Sequence, residues 1–133
     1  MNYEEFQQIE FKVQDRVALV TLNRPEQMNT WTPIMSRELS DAMYECDEND
    51  DIRAVVVTGA GRAFCAGADL SGGEEGFTTK TTITRPQLWP YQVRKPVIAA
   101  INGAAVGVGI TYAMLADMRL ATTTAKIGFA MVR

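Results

Sequence analysis

The chain has 133 residues and a mass of 14.7 kDa, the size of one ordinary domain. Apolar residues at 47% and charged residues at 22% match soluble globular chains and exclude a disordered or fibrous protein. Lys plus Arg number 13 against 16 Asp plus Glu, and a net charge of −3 argues against a chain that neutralises nucleic-acid phosphates.

Taken in order, the segments alternate strand and helix. Ile9–Val13 and Val17–Leu22 are short β-type runs separated by Gln14-Asp15-Arg16, which predicts a hairpin ended by Asn23-Arg24-Pro25. Thr30 or Thr32 caps a helix starting near Pro33, whose Ile34, Met35, Leu39, Ala42, Met43 and Cys46 recur at helical spacing. The acidic residues Glu45, Asp47, Glu48, Asp50 and Asp51 read as a solvated helix end, with a metal site the lesser alternative. Ala54–Thr58 is a continuous apolar run, expected as a strand buried on both faces. Gly59–Leu70 reads as a Gly- and Ala-rich loop, Ser71–Arg85 as a polar loop, and Gln87–Arg94 as a short helix. Pro96–Ile101 is a further buried strand, Ala104–Gly109 a small-residue stretch, and Ile110–Ala116 a helix, followed by strands at Asp117–Ala121 and Ile127–Val132. Buried strands alternating with helices indicate an α/β class. The apolar end, Ala125–Arg133, stops without a turn or polar tail, so the chain is expected to stop inside a fold.

Histidine is absent, which removes the usual general base, the Ser-His and Cys-His nucleophile pairs and the commonest zinc ligand. Cys46 and Cys65 have no partners at metal-ligand spacing, Met1–Gln8 does not resemble a signal peptide, and reduced thiols in a cytoplasmic protein are expected. The longest candidate for a membrane span, Pro96–Ala116, is broken by Asn102, Gly103, Gly107 and Gly109, so no membrane association is expected. Two segments, Ala54–Leu70 and Pro96–Gly109, each feed a buried strand into a turn of glycines and alanines. Side by side, such turns aim two backbone N–H donors at one oxygen; tight strand–helix packing without a ligand is the competing reading. Neither turn completes a nucleotide loop: Gly59-Ala60-Gly61 lacks the third glycine of a dinucleotide fingerprint, and Gly103–Gly109 lacks a Gly-Lys-Ser/Thr ending.

Arg53–Leu70 resembles the signature of the enoyl-CoA hydratase/isomerase (crotonase) superfamily, as do Leu22-Asn23-Arg24-Pro25 with Asn29 and Lys95–Gly107. Asp117-Met118-Arg119 and Ala125–Gly128 fit the strands that follow, so the resemblance covers essentially the whole chain, as the N-terminal portion of one acyl-CoA-binding domain. It implies a spiral of ββα units binding acyl-coenzyme A thioesters, no separate cofactor, a trimeric or hexameric full-length protein, and a role in fatty acid metabolism. Onto this sequence it carries the two oxyanion-hole N–H groups to Ala68 and Val108, with Gly67 and Gly107 allowing close approach. Met28, Ala66, Asp69 and Leu70 match positions lining the coenzyme A end, Ala66 nearest the adenine. The hydratases of the family use two glutamates, and the matching positions hold Thr111 and Met131, neither able to act as a general acid or base. Other groups considered for the acyl pocket are Glu74 and Glu75, and also Tyr112, Trp89 and Tyr91, for which packing is the plainer role. The implied function is an acyl-CoA enzyme that stabilises a thioester enolate; the alternative is a non-catalytic acyl-CoA-binding or assembly homologue.

Overall fold

A computed structural model describes residues 3–71 and 85–129. The two β-type runs form β1 (Ile9–Gln14) and β2 (Val17–Leu22), paired antiparallel from Ile9↔Leu22 to Gln14↔Val17. Their two-residue turn places Asp15 and Arg16 at φ 51° and 66°, the doubly positive conformation that matches the twist of a hairpin. Positive φ is strained for arginine. Arg16 is held there because its carbonyl accepts Arg53 N–H (2.8 Å) and its guanidinium reaches the carbonyls of Asp50 and Asp51.

Helix α1 (Pro33–Glu48) starts where Thr32 accepts the Met35 N–H through its hydroxyl (3.1 Å), with Pro33 at the first helical position. Of the two threonines considered, Thr32 is therefore the cap. At the other end Lys95 Nζ donates to the carbonyls of Cys46 and Asn49, satisfying groups the helix leaves unpaired. Met35, Leu39, Ala42, Met43 and Cys46 are fully buried against Ile9, Ala18, Val20 and Leu22 in one continuous core. Two polar residues of α1 are buried as well. Glu38 accepts the N–H groups of Gln7 and Gln8 (both 2.7 Å), and Ser40 accepts that of Leu88 (2.9 Å).

The remaining strands are β3 (Ala54–Gly59), β4 (Ala63–Cys65), β5 (Val97–Ile101), β6 (Ala104–Val106), β7 (Met118–Ala121) and β8 (Ile127–Gly128). A five-stranded sheet runs β1-β2-β3-β5-β7, parallel from β2 onward, and a three-stranded parallel sheet runs β4-β6-β8. Each of β4, β6 and β8 follows a strand of the larger sheet by a few residues, so the chain alternates between two sheets, with α1 and α2 (Val108–Met114) between strands.

Several expectations need correction. Strand β3 is not buried on both faces: Val55 and Val57 are buried, whereas Ala54, Val56 and Thr58 are half-buried, because only one face packs on the core among the described residues. The stretches expected as loop at 59–70 and 104–109 contain β4 and β6, short strands whose small residues mask the period-2 pattern. Gln87–Arg94 forms only a single turn at Pro90–Gln92, since the backbone around it bonds to α1 instead. Helix α2 begins at Val108 rather than Ile110 and ends at Met114. The last expected strand is seen as Ile127–Gly128, and residues 130–133 lie outside the described residues. All four residues of β7 are exposed, Leu120 at 64%.

Candidate functional site

The turn between β3 and β4 is fixed by two asparagine side chains from distant segments. Asn29 is fully buried; its Nδ2 donates to the carbonyls of Ala60 and Ala63 (both 2.9 Å), and its Oδ1 accepts Arg24 N–H (2.7 Å). Asn102 Oδ1 accepts Gly59 N–H (3.1 Å), while its Nδ2 donates to the carbonyls of Gly61 and Ala63 (3.1 and 3.2 Å). The Arg24 side chain ties the adjoining segments instead, reaching the Thr30 carbonyl (2.6 Å) and the Asp69 carboxylate (2.9 Å). Arg24, Asn29 and Asn102 thus each use side-chain atoms to hold backbone.

Beyond β4 the chain makes a second turn, and here the backbone is used differently. Ala66 N–H donates to the Met28 carbonyl (3.1 Å). Trp31 then forms a parallel bridge to Ala68: its N–H donates to the Gly67 carbonyl and its carbonyl accepts Asp69 N–H, both at 2.8 Å. In a parallel ladder, the residue between those two bonds points its own N–H and carbonyl away. Ala68 N–H therefore faces away from Trp31. Gly67 holds φ 120°, which only glycine adopts without strain, and this re-aims the peptide that carries that N–H.

The second donor lies at the end of the neighbouring parallel strand. Strand β6 pairs with β4 through Ala63↔Ala104 and Cys65↔Ala105. After it Gly107 turns at φ 57°, ψ −122°, with its N–H on the Gly128 carbonyl (3.0 Å), and Val108 opens α2. The N–H of a first helical residue has no acceptor within its helix. Gly109 sets the separation of the two turns: a Cβ on it would lie 2.1 Å from the Cys65 carbonyl oxygen and 2.8 Å from Cys65 Cβ. Only a residue without a side chain lets α2 rest on the end of β4. Ligand sites in open parallel sheets form outside the carboxyl ends of the strands, where both turns lie.

The ionisable groups nearby are quiet. Cys65 is fully buried, and burial pushes its thiol above the usual range. Asp69 is held down to about 2, first by hydrogen bonds from Ser71 and then by Arg24. Cys46 is buried too, raised by desolvation to about 12. Both cysteines are free, and no group of three metal-ligating side chains occurs among the described residues. In the acidic stretch, Glu45 accepts the Tyr3 hydroxyl (2.5 Å), Glu48 pairs with Arg85 (2.7 Å) and Asp47 with Arg94 (3.2 Å).

Of the residues singled out in the sequence, Met28, Ala66, Gly67, Ala68 and Asp69 are joined by these backbone bonds, and Gly107 and Val108 sit on the adjoining strand. Leu70 is 73% exposed at the edge of the turn. Thr111 directs its hydroxyl to the Gly107 carbonyl (3.0 Å), and Asp117 accepts Val97 N–H (2.8 Å). Tyr112 is buried with its ring 5.1 Å from Trp31 and 6.3 Å from Trp89, so Trp89 packs, whereas Tyr91 is 60% exposed. Met131, Glu74 and Glu75 lie outside the described residues. Sequence reasoning missed Trp31, whose role runs through its backbone; the only signal was a large aromatic residue beside the helix cap.

Comparison with known proteins places the geometry in context. The profile of the family described as "Enoyl-CoA hydratase/isomerase" matches residues 12–133. A probable enoyl-CoA hydratase of Mycobacterium tuberculosis is 41% identical over 122 residues, covering 88% of this chain and 48% of the relative. The (E)-benzylidenesuccinyl-CoA hydratase of Thauera aromatica is 39% identical over 130 residues, covering 94% and 51%. Among solved structures, a probable enoyl-CoA hydratase/isomerase from Mycobacterium abscessus superposes with a TM-score of 0.76 at 33% identity, covering 91% of this chain and 48% of that one. The chain thus spans about half the length of the curated relatives it matches.

Proposed function

The chain belongs to the enoyl-CoA hydratase/isomerase family, and from that premise we propose that it contributes the thioester-binding half of an acyl-CoA enzyme acting through an enolate-like intermediate. One observation carries the reading. Ala68 N–H and Val108 N–H leave the carboxyl ends of two adjacent parallel strands, and no protein acceptor is built for either by the bridge or the helix. Two fixed donors of this kind polarise a thioester carbonyl and stabilise the negative charge that develops on its oxygen when a proton leaves or water adds. Because the donors are preorganised, little reorganisation is needed during reaction, and one such donor is typically worth about 10²–10³ in rate. Met28, Ala66, Gly67, Asp69 and Leu70 line the coenzyme A end in this reading, chiefly through backbone groups, and Gly107 admits the thioester.

A second reading is favoured by Thr111. Its hydroxyl bonds to the Gly107 carbonyl, and neither threonine nor methionine at 131 moves a proton as a carboxylate does. A homologue that binds acyl-CoA without turning it over fits that substitution.

The test uses Val108→Pro. Proline is favoured at a first helical position and lacks the N–H, so the variant deletes a donor where the fold tolerates it. With crotonyl-CoA and a 3-enoyl-CoA as substrates, the enzymatic reading expects turnover, and a fall of about a hundredfold or more in kcat/KM for Val108→Pro. Saturable binding without turnover supports the non-catalytic homologue. No saturable binding of either thioester overturns both.

A further inference from the structure

The β4–β6 ladder ends at Cys65↔Ala105. Ala68 and Val108 each lie three residues beyond that last pair, so the ladder does not itself fix how their N–H groups stand to one another. Gly109 against Cys65 sets how closely α2 approaches the end of β4, but Gly67 at φ 120° turns the chain between Cys65 and Ala68. Something else must hold the Ala68 peptide relative to α2.

One residue spans that gap. The Trp31 backbone holds both neighbours of Ala68, through its bonds to Gly67 and Asp69. Its indole rests on Tyr112, with ring centroids 5.1 Å apart and planes tilted by 50°, inside the range where aromatic rings attract. Tyr112 is buried on α2, about one helical turn beyond Val108. The Tyr112 hydroxyl has no partner among the described residues, so the ring is what the position contributes. Trp89 also meets that ring, at 6.3 Å, but no hydrogen bond among the described residues ties Trp89 to the 66–69 turn. Trp31 thus joins the segment of one donor, by its backbone, to the helix of the other, by its side chain.

We propose that the Trp31–Tyr112 contact aligns Ala68 N–H with Val108 N–H and so sets how strongly a thioester carbonyl is polarised between them, an assignment that rests on the acyl-CoA reading above. Both are positioning residues, acting through the backbones they hold. Alignment decides the effect because a hydrogen bond weakens steeply as its donor swings off line, and two donors serve one oxygen only when both point at it. In this reading the coenzyme A portion is held separately, by the segment around Met28 and 66–70. Loosening the ring pair therefore costs polarisation more than affinity.

The experiment titrates the full chain with para-dimethylaminocinnamoyl-CoA, a conjugated thioester whose absorption moves to longer wavelength as its carbonyl is polarised. One titration gives both Kd and the shift, and Tm reports that each variant is folded. Trp31→Leu and Tyr112→Leu are each expected to lose about half or more of the wild-type shift while Kd stays within about threefold. Tyr112→Phe keeps the ring and should keep the shift. Trp89→Leu removes packing from the same ring without touching the link to Ala68, and should keep it too. Should the leucine variants not fold, Trp31→Phe, a smaller ring set back from Tyr112, is read for the same loss. A full shift in the folded Trp31 and Tyr112 variants overturns the assignment alone, as does an equal loss in Trp89→Leu, which would mark general packing. Wild-type binding without any shift overturns the paired donors and this assignment with them. No saturable binding overturns the acyl-CoA reading itself.

Discussion

The turn at 59–63 and the turn at 66–69 are separated by one short strand, yet they use their polar atoms in opposite ways. In the first, side chains from two segments converge so that the carbonyls of Ala60, Gly61 and Ala63 are paired, the Ala63 oxygen twice. In the second, backbone bonds to Met28 and Trp31 fix the chain while Ala68 N–H is turned away from them. In the proposed reading, rigidity in one turn keeps the donor of the next in place, since a donor that wandered would stabilise nothing. Asn29 and Asn102, recognisable in the sequence, hold backbone, and the proposed chemistry rests on backbone N–H groups that every residue except proline carries.

The contrast can be broken at its hinge. Gly109→Ala forces a methyl group to within 2.1 Å of the Cys65 carbonyl, a backbone atom that cannot swing aside. A loss of about 3 kcal/mol or more is expected in urea titrations, because overpacking against backbone costs more than against a side chain. Asn29→Ala tests the clamp: it orphans the Ala60 carbonyl and the Arg24 N–H in a fully buried place, for about 2–3 kcal/mol. Asn102→Ala should cost less, about 1–2 kcal/mol, since Asn102 is only half-buried and the Gly61 carbonyl it releases is exposed to water. Equal losses for the two asparagines would show that the clamp acts as one unit rather than as two supports.

Smaller effects sharpen the same contrast. Tyr112 carries a buried hydroxyl with no hydrogen-bond partner among the described residues, so Tyr112→Phe should leave stability unchanged or raise it by up to about 1 kcal/mol, read as Tm. A clear loss would mean the hydroxyl has a bonding role. The smallest effect concerns acid. Asp69 is held at about 2 by Ser71 and Arg24, below the usual carboxylate value of about 3.9. Its contribution is present above the unfolded value and is lost as pH falls toward 2. Wild type should therefore lose stability relative to Asp69→Asn between about pH 4 and pH 2. The difference should stay under about 1 kcal/mol, because the half-buried Arg24–Asp69 pair lies near the surface, where ion pairs contribute little.

Much of the fold was legible because its elements obey strong local rules. Pro33 with Thr32 marks a helix start, the apolar stripe from Met35 to Cys46 marks its inner face, and the strands at 54–59 and 97–101 are β-branched or apolar throughout. Strands β4 and β6 were not legible. Ala63-Phe64-Cys65 and Ala104-Ala105-Val106 are too short and too uniformly small or apolar to show a period, and they exist because each other's edges pair. The candidate site was legible only through the family motif. Composition and spacing show a glycine-rich turn, but which N–H faces outward depends on the bridge from Trp31, 37 positions away in the chain and without any sequence pattern linking the two.

The double acceptance at the Ala63 carbonyl has a consequence for the order in which the molecule is made. Its two donors come from Asn29 and Asn102, 34 residues before and 39 residues after. Contacts this remote close late, because ordering the intervening chain precedes the reward. Asn29 precedes the β3–β4 turn in the chain and Asn102 follows β5, so the turn gains its second brace only once β5 has been made.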